Sequence, residues 1–250
     1  MKVSIITVCR NSGSTIEATI QSVLSQNHTN IEFIIVDGRS TDRTLSIIEK
    51  YRNRVSKIVS EKDEGMYHAI NKGIALATGE IIGLLNSDDV YTDEKIISRI
   101  VREFETKKAD CIYGDLQYVS KDDLQKVIRH WKSKPYNDKL FLKGWMPPHP
   151  TFFVRRECYT RFGLFNTSFS ISADYELMLR FLYKNKISSS YIPEVLVKMR
   201  VGGISNKTFK SRIRANQEDR RAWKINGLIP NSFTLIIKPL SKLRQFINSK

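Results

Sequence analysis

Two adjacent carboxylates, Asp88 and Asp89, stand directly after the apolar run GEIIGLL, in the stretch LLNSDDVY. Like charges side by side repel, so a strand that ends on such a pair calls for a positive partner. Hard divalent cations take carboxylate oxygens, and Mg2+ is usually held by one or two of them together with substrate phosphates. The pair could equally cap the following helix, whose first turn Asp93 and Glu94 also favour; on the pair alone the two readings stand level. Asp37, in VDGRSTDRT, could accept from a base N–H or a ribose hydroxyl, or hold the turn at Gly38 as an Asx acceptor. Asp174, in SADYEL, could take a proton from a hydroxyl nucleophile, although its position alone speaks more for helix-dipole stabilisation. Among His28, His68, His130 and His149 there is no HExxH and no paired-cysteine spacing, which argues against zinc. His149, set among Pro147, Pro148 and Pro150, is the one histidine that could contact substrate, although a single histidine is more often structural.

The elements that must carry these residues alternate regularly over the first hundred positions. KVSIITVC reads as a buried strand, followed by an S-x-x-E capping box at Ser14 and Glu17 and a helical face of Ile16, Ile20, Val23 and Leu24. IEFIIVDG is a second strand, with a helix opened by Ser40 or Thr41. VSKIVSE is a third, and Ile70, Gly73, Ile74 and Ala77 then line a helix that leads to a fourth strand, GEIIGLLNS. Ile97, Ile100, Val101 and Phe104 form another helical face. This pattern predicts an α/β fold with a mostly parallel, Rossmann-like sheet flanked by helices. Ligands of such sheets bind beyond the carboxyl ends of the strands. The polar residues there are Thr7, Arg10 and Asn11, then Asp37, then Lys62 and Asp63, then the NSDD turn. From Ala109 the pattern changes: DCIYGDLQYV is a strand with a hairpin return in KDDLQKVIRHW, the prolines around His149 forbid regular helix, SADYELMLRFLYKN is a helix, and VKMRVGGISNK is a strand ending in a glycine turn.

Composition narrows the partners. A net charge of +15 calls for something anionic: nucleic acid, a membrane surface or a phosphorylated substrate. Cys9, Cys111 and Cys158 are three widely spaced thiols, which fits buried cysteines in a reducing compartment. The N-terminal apolar run is broken by Arg10, and no stretch approaches the ~18 apolar residues of a spanning helix. A cytoplasmic protein is expected. No GxGxxG or GxxxxGK[ST] loop is present.

Taken together and in this order, TVCRN, VDGRSTDRT, SEKDEGMYHAINKGIALATGEIIGLLNSDDVY and ISADYELMLR resemble family 2 glycosyltransferases of the GT-A fold, over about Val3 to Ser205. The likeness is to the non-processive bacterial enzymes that build capsule, O-antigen or exopolysaccharide. It implies an inverting transfer from a nucleoside-diphosphate-sugar donor, UDP favoured by family habit, to a glycan or lipid-diphosphate-linked acceptor, with Mn2+ or Mg2+. It further implies that Thr7, Val8 and Arg10 border the nucleobase pocket, that Asp37 bonds the base and that Lys62 and Asp63 lie beside the nucleotide. Asp88 would meet the ribose, Asp89 the metal, and Asp174 would be the base. Ala173 stands where many members carry a first acid, which departs from a two-carboxylate pattern. His149, Glu176, Arg200 and Ser205 are assigned to the acceptor or diphosphate side. The processive QxxRW signature is absent, since QEDRRAW has Arg221 at the Trp position.

The expected organisation is a catalytic domain over 1–206, with a nucleotide-sugar half (1–105) and an acceptor half (106–206), and a basic amphipathic extension over 207–250. After Asp219 the chain has no acidic residue, and apolar side chains from Phe233 to Ile247 interleave with lysine and arginine. Residues 225–250 could therefore lie on an anionic membrane at the inner face of the cell membrane, or pack on the domain. The competing class is a basic nucleic-acid-binding or non-catalytic scaffold protein on the same fold. Against nucleic acid as partner, no recognition motif occurs and the strand-end acids would repel a phosphate backbone. The sequence leaves the oligomeric state open.

Overall fold

The computed structural model describes residues 1–202 and 209–230. Three βα units and a fourth strand open the chain: β1 (Val3–Cys9), α1 (Ile16–Leu24), β2 (Ile31–Asp37), α2 (Thr44–Lys50), β3 (Lys57–Ser60), α3 (Met66–Leu76) and β4 (Ile81–Leu84). They are followed by β5 (Val90–Tyr91) and α4 (Ile96–Lys107). Strands β3, β2, β1 and β4 lie side by side and parallel, with β1 in register from Val3 opposite Ile31 to Cys9 opposite Asp37. Their near-continuous Val and Ile content is what burial on both sheet faces requires, and Ile5, Ile34, Ile35 and Val36 are fully buried. Gly73 lets α3 approach β1: a Cβ there would press into Ile6 Cγ2.

The second half comprises β6 (Cys111–Val119), β7 (Val127–Trp131), α5 (Lys139–Leu142), β8 (Phe153–Arg155), α6 (Arg156–Phe162), α7 (Ala173–Met178), β9 (Ser189–Arg200) and α8 (Phe209–Ile225). The sheet here is mixed rather than mostly parallel. β8 joins β4 to β6 antiparallel, β7 returns antiparallel on β6, β6 and β9 run parallel, and β5 closes antiparallel on β9. Strands as short as β5 and β8 carry no periodicity of their own, so the sequence pattern does not announce them. Helix α7 widens at its end into a π turn over Leu179–Lys184, with Asn185 N–H bonded to Arg180 C=O. Its predicted face is inward: Tyr175, Met178, Leu179 and Leu182 are buried.

Two local expectations are corrected. The capping box at Ser14 and Glu17 does not form, because a turn onto the Ser12 carbonyl delays α1 until Ile16; Glu17 instead accepts from Tyr51 and pairs with Lys50. Neither Ser40 nor Thr41 opens α2. Both are drawn into the loop after β2, and α2 begins at Thr44, whose N–H bonds Asp42 Oδ1 at 2.9 Å.

Helix α8, within the expected extension over 207–250, packs against α7. Ala222 and Trp223 are fully buried, and the Trp223 indole donates to the Tyr175 hydroxyl at 2.8 Å. Truncating a buried tryptophan typically costs about 3 to 5 kcal/mol. Residues 231–250, most of the stretch read as membrane-facing, and Ser205 lie outside the described residues. Cys9, Cys111 and Cys158 are free and buried, as expected. Among the described residues no helix is long and apolar enough to cross a membrane.

Candidate active site

The turn after β4 is held from several sides. Thr7 Oγ1 donates to the Leu85 carbonyl at 2.8 Å, Ser12 and Ser87 hydroxyls meet at 2.8 Å, and Thr19 Oγ1 donates to the Asp89 carbonyl at 2.8 Å. Asp89 is fully buried. Asn86 Nδ2 donates to its Oδ2 at 2.9 Å, while Oδ1 has no hydrogen-bond partner. Burial, then the charge of Asp88, push the Asp89 carboxyl well above the usual carboxylate range, against the opposing pull of Asn86 and Arg200. A buried carboxylate in that state is costly unless a cation meets it.

Arg200, at the end of β9, supplies the complementary feature. The β5–β9 pairing brings Val90 opposite Lys198, which sets Asp89 beside the end of β9. The Arg200 side chain is buried, with Nε and Nη1 both lacking a partner. A guanidinium held with unused donors in a low-dielectric site suits phosphate oxygens. One orphaned carboxylate oxygen and one orphaned guanidinium edge therefore fit a divalent cation together with a diphosphate. Among the described residues no three His, Cys, Asp or Glu side chains form a ready-made cage.

The loops after β1, β2 and β3 converge next to this turn. Asn11, at φ 52°, takes a left-handed conformation that asparagine tolerates; its N–H bonds Ser40 Oγ, and its Oδ1 accepts from Thr41 N–H. Asp37 is fully buried and accepts from Ser40 N–H at 2.9 Å, the Ser40 hydroxyl, the Ser60 hydroxyl at 2.7 Å and Cys9 Sγ at 3.6 Å. Those four donors match the four lone-pair sites of a carboxylate, so here Asp37 anchors the loop; bonding a base requires it to exchange one of them. Beside Gly38, a Cβ would lie 3.5 Å from Arg10 Cβ and 3.6 Å from Asp63 Oδ2, which places Arg10 and Asp63 together. Asp63 Oδ1 takes the Lys72 ammonium at 2.6 Å, while its buried Oδ2 has no partner. Val8 is half-buried, and Arg10 and Lys62 are exposed.

Asp174 opens α7, and His149 reaches it from the proline-rich turn: His149 Nδ1 lies 3.3 Å from Asp174 Oδ2. Thr151 fixes that turn by bonding the Pro148 and Gly114 carbonyls. Tyr118, on β6, links the two ends of the site electrostatically. Burial raises its phenol above the usual range, Arg129 opposes this, and Asp89 and Asp174 both add to it. The Arg129 guanidinium covers the Tyr118 ring at 4.2 Å, and Trp131 stacks on it at 6.3 Å.

Glu176 does not join this group. Two residues beyond Asp174 on a helix it points about 200° away. It is buried in a bidentate pair with Arg180 (2.9 and 3.0 Å) and also accepts from Asn226. The sequence reading also passed over two residues of α3 that bind the segment leading to α7. Asn71 clamps Phe165 with two bonds, Nδ2 to its carbonyl at 2.8 Å and Oδ1 from its N–H at 3.0 Å. The Tyr67 hydroxyl donates to the Ile171 carbonyl at 2.7 Å. Their place in the DEGMYHAINKG stretch, directly after a strand end, was the available signal.

Comparison with known proteins bears on the family and the fold. The model of "Glycosyl transferase family 2" matches residues 4–165. The chain is 31% identical over 249 residues to the Escherichia coli UDP-Glc:alpha-D-GlcNAc-diphosphoundecaprenol beta-1,3-glucosyltransferase WfaP, covering 93% of this chain and 96% of that one. It is 27% identical over 208 residues to a PGL/p-HBAD biosynthesis glycosyltransferase of Mycobacterium tuberculosis, covering 81% and 78%. Among solved structures it is similar to S. aureus TarS 1-349 in complex with UDP-GlcNAc (TM-score 0.66, 18% identity, 99% and 79% covered). It is also similar to the mannosyltransferase PcManGT from Pyrobaculum calidifontis in complex with GDP-Man and Mn2+ (TM-score 0.66, 19% identity, 97% and 69% covered). These two likenesses establish the fold, which is the GT-A arrangement.

Proposed function

The chain belongs to glycosyl transferase family 2, and from that premise we propose that it is an inverting, metal-assisted glycosyltransferase acting on a nucleoside-diphosphate-sugar, with UDP as the favoured nucleotide. The acceptor is a hydroxyl of a glycan or of a sugar carried on a lipid diphosphate, in the synthesis of cell-surface polysaccharide. What supports the reading most is the pairing of two buried, unsatisfied and opposite groups, Asp89 Oδ1 and the Arg200 Nε–Nη1 edge, at the carboxyl end of the sheet. The glucosyltransferase relative, named for UDP-Glc and a diphosphoundecaprenol-linked acceptor, supports the choice of substrates.

In this reading the loops carrying Thr7, Val8, Arg10, Asp37, Lys62 and Asp63 receive the nucleoside, and Asp88 meets the ribose. Asp89 holds the cation, Mn2+ or Mg2+, which supplies positive charge to the diphosphate when bound. Arg200 offers its two unused donors to phosphate oxygens as negative charge builds on the departing nucleoside diphosphate. Asp174 takes the proton of the acceptor hydroxyl, which attacks the anomeric carbon from the face opposite the leaving group and inverts its configuration. His149 contacts Asp174 Oδ2, which orients the carboxylate and leaves Oδ1 to face the acceptor. Attachment to an anionic membrane through residues 225–250 belongs to the same proposal, supported by the +15 charge and by the exposure of Ile225 and Ile229 where that stretch begins.

The experiment is to incubate the protein with Mn2+, a panel of UDP-, GDP-, CDP- and dTDP-sugars and a synthetic GlcNAc-diphospholipid, and to read the product by NMR. A β-linked glycoside from an α-linked donor is expected. Retained α configuration, or no product with any donor, would reject the reading.

A further inference from the structure

Glu218 lies on α8, outside every motif that the donor and acceptor roles use. The residue is 7% exposed, and its carboxylate accepts from three consecutive backbone amides: Ser170 N–H to Oε1 at 3.0 Å, and Ile171 and Ser172 N–H to Oε2 at 2.9 Å each. Arg214, one turn earlier on α8, approaches Oε1 at 3.5 Å. Burial alone would raise the Glu218 carboxyl. The three amides and Arg214 outweigh it and hold the group below its usual range, so it is ionised at neutral pH.

The segment it grips leads directly into Asp174. Ser172 also donates its hydroxyl to the Ala215 carbonyl at 3.3 Å, and Arg221 bonds the hydroxyl and the carbonyl of Ser168. Further along, Trp223 bonds Tyr175 and Asn226 bonds Glu176. From the opposite side Tyr67 holds the Ile171 carbonyl. The approach to Asp174 is thus clamped between α3 and α8, and the α8 half of the clamp converges on one carboxylate. Consecutive amides aimed at a single anion can be satisfied together only in a narrow range of backbone geometry.

We propose that Glu218 is a positioning residue: it fixes the backbone from Ser170 to Ser172 and so sets the placement of Asp174 at the acceptor, governing the rate of transfer without touching the donor site. The inference rests on the reading of Asp174 as the base. A misplacement of about 1 Å at a reacting group can cost on the order of a hundredfold in rate. A glutamine keeps one carbonyl oxygen and can hold part of the contact, whereas an alanine holds none.

The test uses the full chain with Glu218→Ala, Glu218→Gln and Asp174→Asn. Turnover of UDP-glucose, UDP-N-acetylglucosamine and GDP-mannose with Mn2+ and the GlcNAc-diphospholipid is compared with UDP binding and with hydrogen exchange. Glu218→Ala is expected to lower kcat about 10- to 100-fold, with donor KM and UDP affinity within about twofold and faster exchange confined to the amides from Ser170 through α7. Glu218→Gln should fall between alanine and the parent. Wild-type kcat in Glu218→Ala, beside an inactive Asp174→Asn, would overturn the inference alone. Joint loss of UDP binding and turnover, with exchange raised across β1–β4, would also overturn it, as the mark of a merely structural residue. Wild-type turnover by Asp174→Asn would overturn the assignment of the base on which it rests.

Discussion

His149 Nδ1 lies 3.3 Å from Asp174 Oδ2, although the two residues come from a proline-bound turn and from the first turn of α7. The contact occupies one carboxylate oxygen and orients the other. Asp174→Asn, which keeps shape and removes basicity, is expected to lower kcat by about 10^2- to 10^4-fold, the range for a general base. UDP affinity should be unchanged. His149→Ala is expected to cost less, about tenfold, because the base survives without its support. Steady-state kinetics beside UDP titration separates these outcomes from a loss of donor binding.

Asp89→Asn should trade function for stability. Asp89 is buried with one oxygen unpartnered, and an unpaired buried polar group typically costs about 1 to 3 kcal/mol. Without metal or nucleotide, the asparagine variant is expected to melt at the same temperature as the parent or higher, while losing metal-dependent nucleotide binding. A marked drop in apo melting temperature would contradict the account of this site.

Arg200→Ala should weaken diphosphates selectively. Its Nε and Nη1 are buried and without hydrogen-bond partners, so their loss removes no hydrogen bond of these atoms from the folded protein and takes two donors from the ligand. UDP affinity is expected to fall about 10- to 100-fold, the equivalent of one or two charged hydrogen bonds. Uridine affinity should stay the same. Equal weakening of both would place Arg200 away from the phosphates.

At the opposite end of the sheet, Glu32 gives a pH signature unrelated to catalysis. Burial alone would raise its carboxyl, but bonds from Ser4, Thr78 and Lys57 hold it at about 2, against 4.5 for a free glutamate. A carboxyl depressed by folding contributes stability that is fully present above about pH 4.5 and is lost as pH falls toward 2. Glu32→Gln is therefore expected to cost about 2 kcal/mol at pH 7, a difference that narrows steadily in denaturant titrations below pH 4.5. A gap independent of pH would point to packing instead.

Much of the first half was legible because strand and helix there alternate with strong periodicity, and because the polar residues that follow each strand must gather at one edge of a parallel sheet. Thr7, Asp37, Asp63 and the NSDD turn gather in that way. Illegible were the contacts that depend on tertiary neighbours. β5 and β8, two and three residues long, form because β9, β4 and β6 offer edges to pair with. Glu176 stood next to a motif residue in sequence, but a helix turns it toward Arg180. α8 read as a basic extension because its charged exposed face dominates its composition. The residues that dock it, Glu218, Ala222, Trp223 and Asn226, are too few to leave a periodic apolar stripe.

The most direct test of the central claim is calorimetric titration with UDP, GDP, CDP and dTDP, each with and without Mn2+, on the parent chain and on Asp89→Asn. The account predicts that one nucleotide, UDP first, binds the parent in a Mn2+-dependent way and that this dependence disappears in Asp89→Asn. Binding that is indifferent to Mn2+, or that persists unchanged in Asp89→Asn, would contradict it.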